Sequence, residues 1–369
     1  MKIIFFLSSY KIGLTNLLSE QAIFLSKLEK ISFSFVAGEK EQENGLSTML
    51  ANNNVVCKRI NGLDEHNEFL RLVKEFKVFV ENEKPDIVHV QTNWQLMIAV
   101  FTKQFIKKKY KILYTIHGFR HNNKYKSKIA LLIIQLLLKM FSSQIYAASS
   151  FVYNKFSLIK NKIKILFLGV EEKFFRFDTA TTSKNVQQIK IIFPGAFRNG
   201  KNQDLLIKII YKYIHLTGDH SIRLYLPGSG SLLERCKTLT KELKLSKNIY
   251  FPGQLTREEM IQYYRNCNVA VIPTNSETFG HCIAEPFVLG LCVISRKTGV
   301  AIDIIKENEN GYLFETDNEL LNILLDLHQN MSKISKCGKN AFKERDIFRW
   351  PNIVEQYERS VLKLIKDDK

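Results

Sequence analysis

The stretch that decides the fold is VAVIPTNSETFGHCIAEPFVLGLCVIS, residues 269–295. Its pattern predicts a buried strand over 269–273, a polar turn, a helix and a second apolar strand. Two carboxylates, Glu277 and Glu285, stand eight positions apart on either side of the pair Phe279-Gly280. A strand that leads through a glycine turn into a helix directs backbone N–H groups beyond the sheet edge, which favours an anion such as a diphosphate.

Composition indicates a folded chain of two domains. The chain has 369 residues, of which 45% are hydrophobic and 24% charged, as in globular rather than disordered proteins. Its six cysteines form no CxxC pair and no His/Cys cluster with zinc spacing, which predicts a reducing compartment and no metal. The opening MKIIFFLSSY lacks a small-residue cleavage site, and we interpret it as a first strand rather than a signal peptide.

The net charge of +18 is concentrated in one region. Residues 87–170 contain fourteen Lys and Arg residues and no Asp or Glu. Such an excess predicts an anionic partner, either membrane lipid or nucleic acid, and the plain alternative is a solvated lysine-rich face. Within this region, IALLIIQLLLKMF (129–141) is too short to cross a bilayer. This segment predicts a buried amphipathic helix or a helix with one face at a membrane interface, and both can hold for different faces.

Apolar runs alternate with helical periods along the chain, which is typical of a parallel, doubly wound α/β fold. The alternation stops at 171–187, where the polar sequence EEKFFRFDTATTSKNVQ predicts a linker. We therefore expect one Rossmann-like domain over 1–170, a second over 188–348 and a last helix within 349–369. The predicted strands cover 2–7, 31–38, 54–60, 85–91, 110–117, 144–149, 162–169, 188–197, 222–228, 248–253 and 311–315.

Several motifs follow one another in a fixed order: PDIVHVQ (85–91), YTIHGF (114–119), FLGVEEKFF (167–175), FPGAFRNGKNQDLLI (193–207), the Glu-x7-Glu element SETFGHCIAE (276–285) and ENENGYLF (307–314). With Gly13 in the loop after the first strand and the last helix, which contains Trp350, these matches span nearly the whole chain. The sequence resembles the GT-B retaining glycosyltransferases of the GT4-type, or group 1, family. The resemblance implies two Rossmann-like domains that face a central cleft. It also implies that the last helix packs back on the first domain.

The resemblance implies residues for the diphosphate of a nucleotide-sugar donor. Lys201 stands at the family's phosphate-lysine position, between a strand and a helix. Where the family usually has arginine this chain has Ala196, and we expect Arg198 to supply the missing charge. Gly13, in the loop after the first strand, would let the backbone approach the diphosphate without a Cβ clash. Gly280 would open a helix whose dipole adds about half a positive charge.

The resemblance also implies residues for the sugar and the ribose. Glu285 would hold the ribose hydroxyls, and Glu277 would address the donor sugar as a catalytic residue, with His117 as the second catalytic residue. Phe279 and Gly280 would offer backbone N–H groups to sugar hydroxyls. The alternative for the two glutamates is a helix surface on which both are solvated.

Two departures from the family pattern affect this element. Pro286 follows Glu285 where alanine is usual, so the helix is expected to begin near His281 or to bend. The Gly-Gly pair before the next helix is reduced to Gly299-Val300. Neither removes a charged group.

The implied activity is transfer of a hexose or N-acetylhexosamine, with retention, from a UDP-linked donor. The acceptor would be a lipid-linked glycan of capsule or O-antigen type, at the cytoplasmic face of the membrane. We expect no metal and no cofactor, membrane contact through 87–170, and no nucleic-acid partner, because no RRM, KH or zinc-finger signature is present. The alternatives are a GT-B-fold sugar-nucleotide epimerase or phosphorylase, and a non-catalytic basic protein that binds membrane or nucleic acid.

Overall fold

The chain divides into two compact units. The first comprises Met1–Glu171 with Trp350–Lys369, and the second comprises Glu172–Arg349. The division falls at the start of the predicted linker, where the 3₁₀ helix Glu172–Phe175 buries both of its phenylalanines. The computed structural model describes residues 1–7, 15–37, 50–55, 57–60, 68–117, 124–177, 180–181 and 186–366.

The first unit is built on a sheet of parallel strands. These strands are β1 Lys2–Leu7, β2 Ser32–Ala37, β3 Cys57–Arg59, β4 Ile87–Val90, β5 Lys111–Ile116, β6 Gln144–Ala147 and β7 Ile163–Ile165. Their order in the sheet is β3-β2-β1-β4-β5-β6-β7. The central strands β1 and β4 are apolar and buried almost throughout, which is typical of parallel strands covered on both faces.

Helices cover both faces of this sheet. Apolar side chains of four helices form one core on one face of the sheet, and those of two other helices form a second core on the opposite face. The helices are Phe69–Glu83, Asn93–Gln104, Lys124–Phe141 and Ser150–Tyr153 on one face, and Thr15–Ser26 and Trp350–Lys366 on the other. Within the described part of the chain, no helix has the length and apolarity needed to cross a membrane.

Trp350 attaches the last helix to the first unit. Its indole is 1% exposed and lies against Gly169, where any β-carbon would overlap the ring. The indole Nε1 donates a hydrogen bond to the Glu20 carboxylate at 3.1 Å. Further along, the Tyr357 hydroxyl forms a 2.8 Å hydrogen bond with Nδ1 of the buried His89 on β4. The prediction that the last helix packs back on the first domain is confirmed.

The second unit repeats the architecture, and its described residues form six parallel strands. They are β8 Lys190–Ile192, β9 Arg223–Tyr225, β10 Ile249–Tyr250, β11 Val269–Ile272, β12 Cys292–Arg296 and β13 Gly311–Phe314. Their order is β10-β9-β8-β11-β12-β13. The helices of this unit are Gln203–Thr217, Leu233–Glu242, Arg257–Arg265, His281–Val288, Ala301–Ile304, Asp317–Gln329 and Ser332–Lys343, and a 3₁₀ helix covers Arg345–Phe348.

The strand order of the second sheet reverses between β8 and β11. The chain runs from β8 outward to β9 and β10, then returns to β11 and continues outward on the other side. In open parallel sheets the loops at the carboxyl ends of two such strands diverge and leave a crevice for ligands. Lys201 lies in the loop after β8, and Glu277 lies in the loop after β11. The fold therefore brings these two loops together where a ligand is expected.

Candidate active site

The loops after β8 and β11 are tied to each other by hydrogen bonds. The Asn202 side-chain amide donates to the carbonyl of Pro273 at 2.8 Å and to the side-chain oxygen of Asn275 at 2.7 Å. The Asn275 N–H donates to the carbonyl of Gly200 at 2.9 Å. Gly200 and Asn202 both have positive φ, 85° and 61°, which bends the first loop sharply enough to reach the second.

Lys201 and Glu277 form an ion pair at this junction. Their side chains are 12% and 16% exposed, so the pair is largely withdrawn from solvent. The Glu277 backbone N–H donates to the hydroxyl of the buried Thr298 at 2.7 Å, and Cys282 Sγ lies 3.9 Å from Glu277 Oε1. Glu277 is thus held through both its backbone and its side chain. The alternative of a solvated glutamate is wrong for Glu277.

Several effects act on the Lys201 ammonium. Burial by itself would lower the pKa of Lys201, but the interactions with Cys282 and with the Glu277 carboxylate outweigh burial and raise it above its ordinary value. Burial also raises the pKa of the Cys282 thiol, so the thiol stays protonated near neutral pH. Glu277 is therefore the neighbouring carboxylate that favours the charged form of Lys201. The site contains a fixed cation of the kind that stabilises a departing diphosphate.

Glu285 is even more enclosed, with its side chain only 6% exposed. Its Oε1 accepts a hydrogen bond from Arg257 Nη2 at 2.7 Å, and its Oε2 accepts one from the Tyr264 hydroxyl at 3.1 Å. The Arg257 guanidinium also lies 4.9 Å from the centre of the Phe174 ring. Since a carboxylate has about four acceptor positions, each oxygen can still accept one more hydrogen bond. The alternative of a solvated glutamate is wrong here as well.

Two glycines with positive φ shape the backbone around the loop that carries Glu277. Gly280 (φ 92°) precedes the helix His281–Val288, and a β-carbon there would lie 2.7 Å from Ile283 Cδ1. A β-carbon on Gly299 (φ 54°) would overlap the Phe279 carbonyl oxygen and lie 2.9 Å from Glu277 Cβ. That carbonyl accepts a hydrogen bond from the N–H of Val300 at 2.8 Å. The two turns therefore fit closely around the Glu277 loop.

Pro286 lies inside the site helix. The helix begins at His281, as expected, and ends at Val288, only two residues beyond the proline. The missing N–H therefore leaves one carbonyl in the first turn without its helical donor. The proline is buried, and its own carbonyl accepts a hydrogen bond from Leu291 at 2.9 Å.

Arg198 is exposed and belongs to the same loop as Lys201. The positive charge of Arg198 repels that of Lys201 and acts to lower the pKa of the lysine. The two cations therefore lie near each other. Arg198 also lines a cavity of about 130 Å³ together with Gly200, Leu232 and Arg235. Whether it replaces the family arginine absent at Ala196 stays a prediction.

The remaining predicted site residues belong to the first unit. His117 follows β5 directly and is exposed. Gly13 lies outside the described residues. His89 is buried in β4 and hydrogen-bonded to Tyr357 and to the Thr115 hydroxyl at 2.7 Å. The structure therefore supports a structural role for His89.

Sequence reasoning missed three side chains that hold the glutamates: Arg257, Tyr264 and Thr298. The capping box formed by Thr256 and Glu259 marks where the helix Arg257–Arg265 begins. Arg257 and Tyr264 are seven positions apart, a spacing that places both on one face of that helix. The spacing in the sequence shows that Arg257 and Tyr264 share a helix face, but only the tertiary fold shows that Glu285 is the carboxylate they contact. Among the described residues, no His, Cys, Asp and Glu side chains form a group of three or more suited to a metal ion.

Comparison with known proteins identifies the second unit. Residues 174–344 match the model of the family described as Glycosyl transferases group 1. The second unit belongs to this family. The chain is 27% identical over 300 residues to an uncharacterized protein of the cps region of Klebsiella pneumoniae, covering 76% of this chain and 80% of the relative. It is 23% identical over 341 residues to an uncharacterized glycosyltransferase of Methanocaldococcus jannaschii, covering 89% of each chain.

A similar solved structure extends the likeness to the whole chain. HepE of Anabaena, crystallised in complex with UDP and glucose, superposes with a TM-score of 0.77 at 17% sequence identity. The alignment covers 98% of this chain and 100% of HepE. The protein therefore has the GT-B fold, with an α/β unit in each half, as the sequence predicts.

Proposed function

We propose that the protein is a retaining glycosyltransferase that moves a hexose or N-acetylhexosamine from a UDP-linked sugar to a lipid-linked glycan in cell-surface polysaccharide biosynthesis. The observation that carries this proposal is the enclosed Lys201–Glu277 pair at the strand-order reversal of the second sheet. It combines a cation for phosphate with a carboxylate for sugar hydroxyls. A sugar nucleotide needs both groups side by side, since its sugar is attached directly to its diphosphate.

The comparisons supply the chemical classes in this proposal. HepE was crystallised with UDP and glucose, which supports a UDP-linked hexose as donor. The relative in the cps region of Klebsiella pneumoniae supports a role in polysaccharide biosynthesis. The cytoplasmic face of the membrane as the location is part of the proposal. The basic region 87–170 of the first unit supports an acceptor held at an anionic membrane.

The proposed reaction is a displacement on one face of the donor sugar. The bond between the anomeric carbon and the diphosphate oxygen breaks, and the acceptor hydroxyl oxygen forms the new bond on the same face. The hydroxyl proton passes to the departing phosphate. Lys201 stabilises the charge that develops on the diphosphate, and the N-terminus of the helix His281–Val288 adds a partial positive charge.

Further roles follow from the resemblance and are part of the proposal. Glu277 orients the donor sugar, and Glu285 accepts hydrogen bonds from the ribose hydroxyls with the acceptor capacity that Arg257 and Tyr264 leave. The backbone N–H groups of Phe279 and Gly280 bind sugar hydroxyls. In addition, Arg198 and Gly13 serve the diphosphate, and His117 acts on the donor sugar.

The proposal is tested by release of nucleoside diphosphate from a panel of UDP-hexoses and UDP-N-acetylhexosamines. Each donor is supplied with and without a polyprenyl-diphosphate-linked sugar as acceptor. The preferred donor should raise the melting temperature, because a ligand at 100 times its dissociation constant adds about 2.7 kcal/mol. The anomeric coupling in the product should show the configuration of the donor.

A matched control separates the site from general effects of a lost charge. Glu277→Gln should abolish release, whereas Glu315→Gln, which breaks the exposed pair with Lys297, should leave it unchanged. An epimerised sugar nucleotide without free UDP would point instead to an epimerase, and strict dependence on inorganic phosphate would point to a phosphorylase. Absence of both turnover and thermal shift with every donor would contradict the proposal.

A further inference from the structure

The helix Lys124–Phe141 of the first unit turns large apolar side chains toward solvent. These side chains follow the spacing i, i+3, i+4, i+7 and i+11, which places them on one face of the helix. They are Ile129 (61% exposed), Leu132 (47%), Ile133 (51%), Leu136 (46%) and Met140 (72%). The helix Lys124–Phe141 is therefore not buried on all sides, as the sequence allowed when it left open a buried face and a membrane-facing one.

The opposite face of the helix shows that this exposure is built into the fold. Leu138 is fully buried in the core of the first unit, and the polar Gln135 is 5% exposed. The Gln135 side chain accepts a hydrogen bond from the Leu158 N–H at 3.0 Å, which fixes the neighbouring 3₁₀ helix Ser157–Lys162. A glutamine is thus buried while an isoleucine and a leucine beside it face water. This is the reverse of the usual arrangement in a water-soluble helix.

The apolar face continues onto neighbouring segments and has basic residues around it. Leu158 is 44% exposed beside the helix. Lys139 is exposed on the helix itself, and its carbonyl accepts a hydrogen bond from Lys162 Nζ at 2.6 Å. Lys160 is exposed on the same 3₁₀ helix as Leu158. No acidic residue occurs anywhere in 87–170.

This combination distinguishes between the two partners that an exposed apolar patch can have. The central parts of protein–protein interfaces are depleted in lysine, because its ammonium group is costly to dehydrate. At a lipid bilayer, apolar side chains enter the boundary of the acyl chains while lysines remain at the level of anionic headgroups. The charge of this surface therefore complements a membrane better than a protein.

We infer that the face formed by Ile129, Leu132, Ile133, Leu136 and Met140 docks on a membrane surface that contains anionic phospholipid. The helix lies in the plane of the interface, since it is too short and too basic to cross. Docking of this kind extends the proposed function, in which the acceptor is linked to a lipid. Docking itself needs neither donor nor acceptor.

The test is co-sedimentation of the full chain with vesicles of phosphatidylcholine alone or mixed with phosphatidylglycerol. The wild-type chain should bind the mixed vesicles, more weakly as salt rises. Leu132→Glu and Leu136→Glu should each weaken this binding by at least roughly tenfold, because each places an anion in the apolar contact. Leu216→Glu is the matched control: this leucine is 61% exposed on the helix Gln203–Thr217 of the second unit, and the substitution should leave binding unchanged.

Two further measurements keep docking separate from folding and from catalysis. The three variants should melt at the wild-type temperature, since their side chains are exposed, and should still release UDP from a donor without acceptor. Loss of vesicle binding with intact UDP release supports docking, and vesicle binding by a chain that releases no UDP supports docking without the transferase. The inference would be overturned if Leu132→Glu and Leu136→Glu bound vesicles as well as the wild type. It would also be overturned if the wild type were a dimer and these variants were monomers that still bound vesicles.

Discussion

Lys201 and Glu277 are 76 positions apart in the chain and form an ion pair in the second unit. The pair exists because β8 and β11 are adjacent in the sheet although five elements of the chain separate them. The amide of Asn202 then fixes one loop to the other. The cation is thus in place before any substrate arrives, which reduces the reorganisation needed when a phosphate leaves.

Loss of the Lys201 charge should affect catalysis more than folding. Lys201→Ala should lower kcat by roughly 100- to 1000-fold, the range seen when one preorganised donor to a developing anion is removed. Lys297→Ala, which breaks an exposed Lys–Glu pair in the same unit, should leave kcat within about twofold. The measurement is UDP release under saturating donor. Equal kcat for the two variants would show that Lys201 does not contact the leaving group.

Arg257 should stabilise the fold by neutralising Glu285. Arg257→Gln leaves a carboxylate with 6% exposure without its cation and should lower the free energy of unfolding by roughly 1 to 3 kcal/mol. The double variant Arg257→Gln/Glu285→Gln should regain part of this loss, because no buried charge remains. Arg359→Gln, which breaks an exposed pair with Glu355, serves as control. Urea unfolding measures the free energy of unfolding of these three variants. A double variant that is no more stable than Arg257→Gln would show that Arg257 does not stabilise the fold through the charge of Glu285.

The fit of Gly299 against the Glu277 loop gives a prediction with an internal control. Gly299 and Gly253 both have positive φ, but a β-carbon on Gly253 meets no atom within 4 Å. Gly253→Ala should therefore destabilise the protein only by backbone strain, roughly 1 to 2 kcal/mol. Gly299→Ala should cost about 1 to 3 kcal/mol more and should impair transfer, because the loop that carries Glu277 must move. Thermal melting and UDP release under identical conditions provide the comparison.

His89 should make the first unit sensitive to acid. Burial, together with the nearby charge of His117, lowers the pKa of His89 from 6.5 to about 3. Since the folded state favours the neutral ring, the unfolded chain binds more protons between these values, and stability falls as pH drops below about 6.5. At roughly 1.4 kcal/mol per pH unit, acidification from pH 7 to pH 5 should cost about 2 kcal/mol through this residue.

The contribution of His89 is isolated by His89→Gln, which keeps hydrogen-bonding capacity for Tyr357 and Thr115 but does not titrate in this range. The wild type should lose more stability than the variant between pH 7 and pH 5. Urea unfolding of both proteins at each pH gives the difference. Identical pH dependence in the two proteins would show that His89 is protonated without penalty in the fold.

Transfer should be independent of divalent metal. The charge of the leaving diphosphate is expected to be balanced by Lys201 and by the helix that begins at His281. UDP release should therefore be unchanged after dialysis against EDTA and on addition of Mg²⁺ or Mn²⁺. A loss that Mg²⁺ restores would contradict the prediction of a metal-free site.

The sequence alone predicted every strand of the two sheets, because buried parallel strands appear as short apolar runs that helical segments separate. The stretch 269–295 is the clearest case, with its strands at Val269–Ile272 and Cys292–Arg296 and its helix from His281. The helix Asn93–Gln104 was not predicted, because apolar residues occupy most of its positions and no periodic apolar face is visible in its sequence. The helix Ser332–Lys343 was missed because its sequence is polar and contains Gly338.

Sequence therefore determined the fold, the two glutamates and Lys201, since local pattern and motif spacing are properties of neighbouring residues. Only the tertiary structure decided that Lys201 pairs with Glu277 and that Arg257 and Tyr264 hold Glu285, because those contacts join segments distant in the chain. The same is true of the helix Lys124–Phe141. Its sequence is apolar on nearly all sides, and which side meets water depends on the sheet against which it packs.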